Sequence, residues 1–439
     1  MVQEIETLLG RQALENLDLE ALELAVRQQV LQLAGRAVEQ QINADLSDVQ
    51  GAKLGCPCGR EARYAGRRGK QVHSVLGPLR LERAYYHCSA CGQGFCPRDQ
   101  HLQIENTSLS PALTRMVGTV GAMVSFQEGS ELLTELAGVT VEAKQVERTA
   151  EALGAEIAED ERQHSASSDA LALPQTLYLG MDGTGIPLRA QELRGRTGKQ
   201  PDGSAKTGEV KLCTIWSAES LDEEGTPIRD AGSVSYSAAL ESASALDTAA
   251  TGSPFAQRVW REASRRRFRQ ASRTAVLGDG AAWIWHIADE QFPEAVQIVD
   301  RFHAKQHLSD LGKALYGSTN RQAAQWAERR QEELDTGKFP ALLLAIRRQV
   351  SRSEEARRCL HYFQTNRHRM RYPEFHAQGL CTSTGVVEAG CKVAIGTRLK
   401  RTGMHWTVHG SNAIIALRCT KLSGRFQDFW ERRTERRAA

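Results

Sequence analysis

The sequence contains no run of about 18 apolar residues, so no segment is expected to cross a membrane as a helix. Its first residues, MVQEIETLLG, lack the basic and then apolar pattern of a signal peptide, which favours a cytoplasmic location. The net charge is only +3, so composition alone does not demand a polyanionic partner. What remains is an ordinary globular composition in a chain long enough for roughly two to four structural units.

Basic residues are concentrated in a few segments although the net charge is small. The densest are RVWREASRRRFRQASR at 258–273 and RLKR at 398–401. Clustered Arg and Lys can form a phosphate-binding surface, whereas a single run is better explained as the solvated face of a helix. Only the whole set therefore favours a nucleic-acid partner.

The first 50 residues carry Leu and Val at three- and four-residue spacings, which predicts an N-terminal helical segment. That helix could be a dimerisation arm or could pack on its own domain. Residues 106–165 return to the same periodicity on both sides of Gly138, which fits a helix-turn-helix whose second helix presents Lys144 and Arg148 to DNA. An ordinary helical hairpin fits this pattern equally well. A linker is predicted at 163–175.

Half of the ten cysteines lie in one stretch, between Cys56 and Cys96. In a reducing compartment such a cluster favours metal binding over disulfides. Two close pairs, each followed by Gly and joined by β-prone sequence, can supply four sulfurs to one tetrahedral zinc ion. The predicted ligands are Cys56, Cys58, Cys88 and Cys91. Residues 51–105 are therefore predicted to form a zinc-ribbon-like module.

The first cysteine pair departs from the common ribbon pattern, because a single residue separates its members. Another side chain could therefore replace one ligand, the candidates being Cys96, His87 and His73. Free thiols are the alternative to a metal site.

From residue 172 to about 430, strand-like and helix-like segments alternate, which predicts an α/β domain. Residues 304–380 are almost entirely helix-forming and basic, and a helical insertion is the simplest explanation.

Three acidic residues in this domain stand apart from the many solvated ones. Asp182 and Asp279 each follow an apolar run and precede Gly, which predicts positions at the carboxyl ends of buried strands, where open α/β sheets bind ligands. Glu388 lies in the apolar helical stretch GVVEAG. Three carboxylates brought together repel one another and need cations. Two Mg²⁺ ions about 4 Å apart suit such ligands and the chemistry of phosphoryl transfer. A single Asp-Gly turn would mean little, since both residues favour turns.

Four long segments resemble insertion-sequence DDE transposases of the ISKra type. They are YLGMDGTGIP, RTGKQPDGSAKTGEVKL, GDGAAWIWHIADEQFPEAVQIVDRFHAKQHL and STGVVEAGCKVAIGTRLKRTGMHWTVHGSNAIIALR. They occur in the order found in that family, and the resemblance covers roughly residues 55–430.

The resemblance implies a multidomain α/β protein with an RNase H-like catalytic core, a mixed β-sheet flanked by helices. It implies Asp182, Asp279 and Glu388 as the three catalytic acids, holding two Mg²⁺ or Mn²⁺ ions. The implied reaction is DNA strand cleavage followed by strand transfer at the ends of an insertion sequence. The implied partners are double-stranded DNA, both terminal inverted repeats and target, and further copies of the chain assembled on DNA in the nucleoid. A nuclease of the same fold that only hydrolyses, or a DNA-binding transcriptional regulator, are the alternatives.

Two further groups of residues gain meaning from the resemblance. Asp300 and His303 form a D-x-x-H element that many related transposases carry here, so they are expected to orient a DNA phosphate or to support the metal site. A helix-capping Asp and a partly buried His are the alternative. The segment after Glu388 mixes basic and aromatic residues, as suits contact with DNA backbone and unstacked bases. Its candidate DNA-binding residues are Arg398, Lys400, Arg401 and Trp406.

Overall fold

A computed structural model of the chain describes residues 18–164, 173–195, 205–223, 225–243 and 252–438. Contacts divide the chain into two compact units, one formed by the residues up to Leu153 together with those from Phe426, and the other by Gly154–Arg425. The start of the predicted N-terminal helix, most of the predicted linker and most of RGRTGKQPDGSAKTG lie outside the described residues. No described helix is long and apolar enough to cross a membrane.

The first unit begins with a long helix and a small antiparallel sheet. These elements are α1 Leu19–Ala44, β1 Lys53–Gly55, β2 Glu61–Ser74, β3 Gly77–His87 and β4 Gly94–Phe95. Asp18 caps α1, because its carboxylate accepts a hydrogen bond from the Ala21 amide at 2.8 Å. The strands pair in the order β1-β2-β3-β4. At the open end of the long β2–β3 hairpin, β1 pairs with β2 and β4 pairs with β3, so the two cysteine pairs lie in the turns of neighbouring hairpins.

The helices of the first unit follow this sheet. They are α2 Pro97–His101, α3 Pro111–Met123, α4 Phe126–Ala137, α5 Ala143–Gln163 and the C-terminal helix Phe426–Ala438. A capping box between Ser125 and Glu128 begins α4, and Gly138 in the left-handed conformation ends it. Leu113, Val117 and Leu133 belong to the apolar core of these helices. The boundary between the units falls within α5.

The second unit is built on a mixed sheet of five strands. Its strands are β5 Thr176–Pro187, β6 Thr207–Ser217, β9 Ser235–Ala239, β10 Arg273–Gly278 and β11 Val296–Val299, while β7 Ser220–Leu221 and β8 Pro227–Ile228 form a separate ribbon. The order is β11-β10-β5-β6-β9. In this order β11, β10 and β5 are parallel to one another. β6 runs antiparallel to both of its neighbours, β5 and β9, so β9 points in the same direction as β5. When the five strands are numbered by their order in the chain and read from β9 to β11, they therefore stand as 3-2-1-4-5 across the sheet.

Helices flank this sheet. They are α6 Pro254–Arg265, α7 Ala282–Gln291, α8 Arg301–Tyr316, α9 Arg321–Asp335, α10 Phe339–Arg347, α11 Glu354–Thr365, α12 Tyr372–Ala377, α13 Gly385–Gly390, α14 Thr397–Leu399 and α15 Val408–Leu422. A π-helix, Cys391–Gly396, joins α13 to α14. The region predicted to be a helical insertion contains α8 to α12. The predicted mixed α/β class is confirmed, and a five-stranded mixed sheet flanked by helices is compatible with an RNase H-like core.

A close approach inside the second unit yields a stability prediction. A Cβ built on Gly154 would lie 2.0 Å from the carbonyl oxygen of Ala413 in α15, and backbone does not move aside cheaply. Gly154→Ala is therefore expected to reduce the free energy of unfolding by about 1–3 kcal/mol, measured as a lower Tm. Gly396→Ala is the matched control, because its Cβ would meet only the Cys391 oxygen at 3.5 Å. Equal Tm values for the two variants would contradict this packing.

Candidate active site and cysteine cluster

The four predicted zinc ligands lie together in the first unit. Cys56 and Cys58 occupy the turn between β1 and β2, and Cys88 and Cys91 the turn between β3 and β4. Each turn closes by a hydrogen bond from a glycine amide to the carbonyl of its first cysteine, at 2.9 Å in both cases. The glycines adopt positive φ, which other residues rarely tolerate. The single-residue gap of the first pair thus does not prevent two similar turns from forming.

The sulfur positions suit a tetrahedral ion. Cys56 Sγ lies 3.7 Å from Cys91 Sγ, and Cys58 Sγ lies 3.7 Å from Cys88 Sγ. All four sulfurs lie within 4.8 Å of one another. A zinc ion with bonds of about 2.3 Å would place neighbouring sulfurs about 3.8 Å apart. The three alternative ligands from the sequence are not part of this group, so the residues present fit one Cys₄ zinc site.

In the second unit, three aspartates stand at matching positions in or directly after three neighbouring parallel strands. The register pairs Leu277 of β10 with Gly180 of β5, and two residues further along each chain stand Asp279 and Asp182. Gly278 of β10 also pairs with Val299 of β11, and the residue directly after β11 is Asp300. Neighbouring strands lie about 4.8 Å apart, so the three aspartates stand near one another at the level of the carboxyl ends of β10 and β11.

Glu388 approaches these strand ends from α13. A Cβ on Gly180 would lie 2.0 Å from Val387, so the absence of a side chain there lets α13 lie directly on β5. Glu388 and Asp182 line one cavity of about 460 Å³ with Thr184, Cys391, Lys392 and Lys400 among the other lining residues. The Glu388 side chain is 55% exposed, so it stands at an open site and not in the core.

The environment of Asp182 disfavours its charged form. Burial raises the pKa of its carboxyl group, and the neighbouring Asp279 adds to this shift. Two hydrogen bonds partly offset it, from the Gly183 amide at 2.6 Å and from the Cys391 thiol at 3.3 Å. A divalent cation at the site would restore the charged form, as is expected of a metal ligand.

Asp279 is held by its own turn and by a distant helix. Its Oδ1 accepts a hydrogen bond from the Ala281 amide at 2.9 Å, and its carbonyl oxygen accepts one from the Tyr362 hydroxyl of α11 at 2.8 Å. Gly280 has φ +103°, and a Cβ there would lie 2.5 Å from the Tyr362 ring. The Asp-Gly pair thus serves this turn and lets α11 approach the backbone closely.

Asp300 and His303 form a network of their own with Glu388. Ligand atoms of these three residues lie within 4.8 Å of one another, an arrangement that could also hold a metal. However, Asp300 is fully buried, and its two oxygens already accept hydrogen bonds from the amides of His303 and Thr384. The Asp300 carboxylate beside His303 raises the pKa of the imidazole to about 9. His303 Nδ1 lies 3.3 Å from Asp300 Oδ1 and 3.7 Å from Glu388 Oε1, so the group as described is also an ion-pair network.

Asp182 and Asp279 stand at matching positions of adjacent strands, and Glu388 lines a cavity with Asp182, but the described residues do not bring ligand atoms of all three acids within 4.8 Å of one another. Carboxylate oxygens are the ligands that Mg²⁺ and Mn²⁺ prefer. Asp182 sits in a partly buried position whose pKa shift a cation would reverse. Asp300, by contrast, has its charge compensated by protein donors.

The predicted DNA-binding residues after Glu388 divide into two groups. Lys400 and Arg401 are exposed, and the Lys400 ammonium donates to the Thr184 hydroxyl beside the cavity. Arg398 is fully buried with its guanidinium over the Trp406 ring, and Trp406 is itself buried and donates to the Leu399 carbonyl. The expectation that Arg398 and Trp406 contact DNA is not compatible with this burial, and their role is to anchor the segment that carries Lys400.

The other predicted DNA-binding residues lie at the start of α5. Lys144 and Arg148 are both exposed, and Lys144 pairs with Glu147 at 2.6 Å. Six acidic residues against three basic ones give α5 a net negative charge, so only its first two turns could approach a phosphate backbone.

Three residues around the site escaped sequence reasoning, namely Thr384, Cys391 and Tyr362. The first two stand four residues before and three residues after Glu388, so helical spacing alone could have placed them on its face. Tyr362 is separated from Asp279 by more than 80 residues, and no local pattern connects them.

Comparisons with known proteins add little. No protein-family model matches the chain. No curated protein matches it significantly either. Five chains of solved structures match. One, from the Drosophila P element transposase strand transfer complex, has a TM-score of 0.26 and 9% sequence identity, and the match covers 78% of this chain and 85% of that one. A likeness this low carries no argument about function.

The cysteine cluster gives a prediction on metal content. We expect about one zinc per chain in protein purified without chelator, because the four sulfurs match one tetrahedral ion. Cys58→Ser should abolish that content and lower the Tm of the first unit. Cys96→Ser, a free cysteine outside the cluster, should change neither. Elemental analysis that finds no zinc in the parent protein, with the four thiols freely reactive, would contradict the assignment.

Proposed function

We propose that the chain is a DDE transposase, which cleaves DNA strands and joins them to a target with divalent metal ions held by Asp182, Asp279 and Glu388. The observation that carries the proposal is the register of β5 and β10, which sets Asp182 and Asp279 at matching positions on adjacent parallel strands. Glu388 lines a cavity with the first of them. The resemblance of four long sequence segments to ISKra-type transposases supports the same assignment.

The core of this unit is proposed to be RNase H-like. Its strand order of 3-2-1-4-5, in which only β6 runs antiparallel to the other four strands, supports that proposal. Asp279 follows the carboxyl end of β10, where ligand sites of open α/β sheets are found, and Asp182 stands beside it within β5, which continues to Pro187.

The chain's own residues have distinct tasks in this mechanism. Two Mg²⁺ or Mn²⁺ ions, when bound, would activate the attacking oxygen and stabilise the leaving oxygen. Asp182, Asp279 and Glu388 would hold the ions through carboxylate oxygens. Lys400, exposed beside the cavity, neutralises a DNA phosphate. Because water and then a DNA 3′-hydroxyl serve as nucleophiles, the mechanism requires no Ser or Tyr nucleophile from the protein.

The first test removes the charge of one acid. Asp182→Asn keeps the shape of the side chain but should abolish cleavage and weaken Mn²⁺ binding, while DNA affinity persists because it depends on basic residues. Cleavage can be followed with Mn²⁺ on a plasmid that carries the coding sequence and its native flanking DNA. Mn²⁺ binding to the DNA-free protein can be measured by calorimetry.

Asp310→Asn is the matched control, since Asp310 is an exposed residue of α8 whose side-chain partners among the described residues, Gln306 and Lys313, lie on the same helix. It should behave as the parent protein in both assays. If Asp182→Asn cleaved DNA as fast as the parent, the catalytic assignment would be wrong. Cleavage without joined products would favour the nuclease that only hydrolyses.

A second test concerns the basic residue beside the cavity. Lys400→Ala should weaken DNA binding and reduce the slope of log affinity against log salt by about one, the value for one lost phosphate contact. The Mn²⁺ affinity should not fall, because a lysine is not a metal ligand. Lys313→Ala, at an exposed lysine of α8 paired with Asp310, is the control. An unchanged salt slope for Lys400→Ala would exclude this contact.

A further inference from the structure

The buried carboxylate of Asp300 is directed at the residue that begins the helix of Glu388. Asp300 Oδ2 accepts hydrogen bonds from both the amide and the hydroxyl of Thr384, the latter at 2.7 Å. Oδ1 accepts the His303 amide at 2.6 Å. The backbone is fixed as well, because the Asp300 amide donates to the Gly278 carbonyl at 2.8 Å. Thr384 is thereby tied to the strand end that precedes Asp279.

From Thr384 the contacts continue to Glu388. The Thr384 carbonyl accepts the amides of Val387 at 2.7 Å and of Glu388 at 2.9 Å. Its hydroxyl also lies 3.5 Å from Glu388 Oε1. A continuous series of short contacts therefore runs from the ends of β10 and β11, through Asp300 and Thr384, to the backbone and side chain of Glu388.

The hydroxyl of Thr384 has a use that differs from helix capping. A Thr at the N-cap ordinarily accepts a hydrogen bond from an amide of the first turn. Here no such bond is formed by the Thr384 side chain, and the neighbouring Ser383 hydroxyl accepts the Gly385 amide instead. The Thr384 hydroxyl is a donor to Asp300, and Thr384 is only 4% exposed. Local helix stability thus does not account for this side chain.

We propose that Thr384 is a positioning residue, which fixes the helix carrying Glu388 to the carboxyl ends of β10 and β11 through Asp300. The proposal rests on the proposed function, since it assumes that Glu388 is a metal-binding acid. Glu388 is half-exposed in the first turn of a helical segment that continues through the π-helix to Leu399, and the ends of helices fray. The anchor at Thr384 supplies the fixed geometry that shared metal ligands require.

The decisive variant is Thr384→Val, which replaces the hydroxyl by a methyl group of similar size. It should reduce the cleavage rate at saturating DNA and the affinity for Mn²⁺ in DNA-free protein by roughly 10–100-fold. The DNA concentration for half-maximal rate should stay the same, because phosphate contacts are untouched. Thr384→Ser retains the hydroxyl and should restore both quantities to near the parent values.

Thr382→Val is the matched control. Thr382 lies two residues away on the same segment, is buried to a similar degree, and pairs through its hydroxyl with His376 at 3.0 Å and not with Asp300. It should lower the Tm about as much as Thr384→Val but leave the cleavage rate and Mn²⁺ affinity unchanged. Equal effects of the two valine variants, or failure of Thr384→Ser to recover, would overturn the inference. Should Thr384→Val not fold, Thr384→Ala takes its place in the same comparison.

Failure of this inference and failure of the proposed function are separable. Glu388→Gln should be inactive and bind Mn²⁺ weakly if Glu388 is a metal ligand. An active Glu388→Gln would overturn the proposed function, and this inference with it. An inactive Glu388→Gln together with a fully active Thr384→Val would leave the proposed function standing and remove Thr384 from it.

Discussion

The register of three neighbouring parallel strands is the constraint on which the second unit's site depends. Asp182 lies within β5, and Asp279 and Asp300 stand at the matching positions directly after β10 and β11, so like charges are brought near one another. The protein compensates them differently. Asp300 is satisfied by internal hydrogen-bond donors and pairs with His303, whereas burial raises the pKa of Asp182. The charge left uncompensated is the charge that a cation would need.

The sequence predicted the elements of this site better than their arrangement. An apolar run that ends in Asp-Gly is a local pattern, and it correctly indicated that Asp182 and Asp279 accompany buried strands. Strand order and register depend on pairing between distant residues, such as Leu177 of β5 with Thr274 of β10 and Gly278 of β10 with Val299 of β11, which no local pattern records. Asp300 could therefore be noticed only through a resemblance, and its alignment with Asp279 appears only in the sheet.

Burial of charged residues is the other property that the sequence did not reveal. Arg398 stands in the basic run RLKR, which suggested an exposed surface, yet it is one of the largest fully buried side chains. Cation–π contact with Trp406 replaces part of its lost hydration. Lys400, two residues later, is exposed. Neighbours in one basic run thus serve opposite purposes, and only the packing of the segment against β5 decides which.

Tyr362 shows that the helices between β11 and α13 take part in the site's geometry. Its hydroxyl holds the Asp279 carbonyl, and its ring covers Gly280, where no side chain could be accommodated. Its ring also packs on His307 of α8, with centroids 4.1 Å apart. Asp182, within the central strand β5, has no such contact with α11 in the described residues. A displacement of α11 would therefore move the backbone of Asp279 relative to Asp182. The spacing of these two acids thus depends both on the register of β5 and β10 and on the helix α11, which packs at the end of β10.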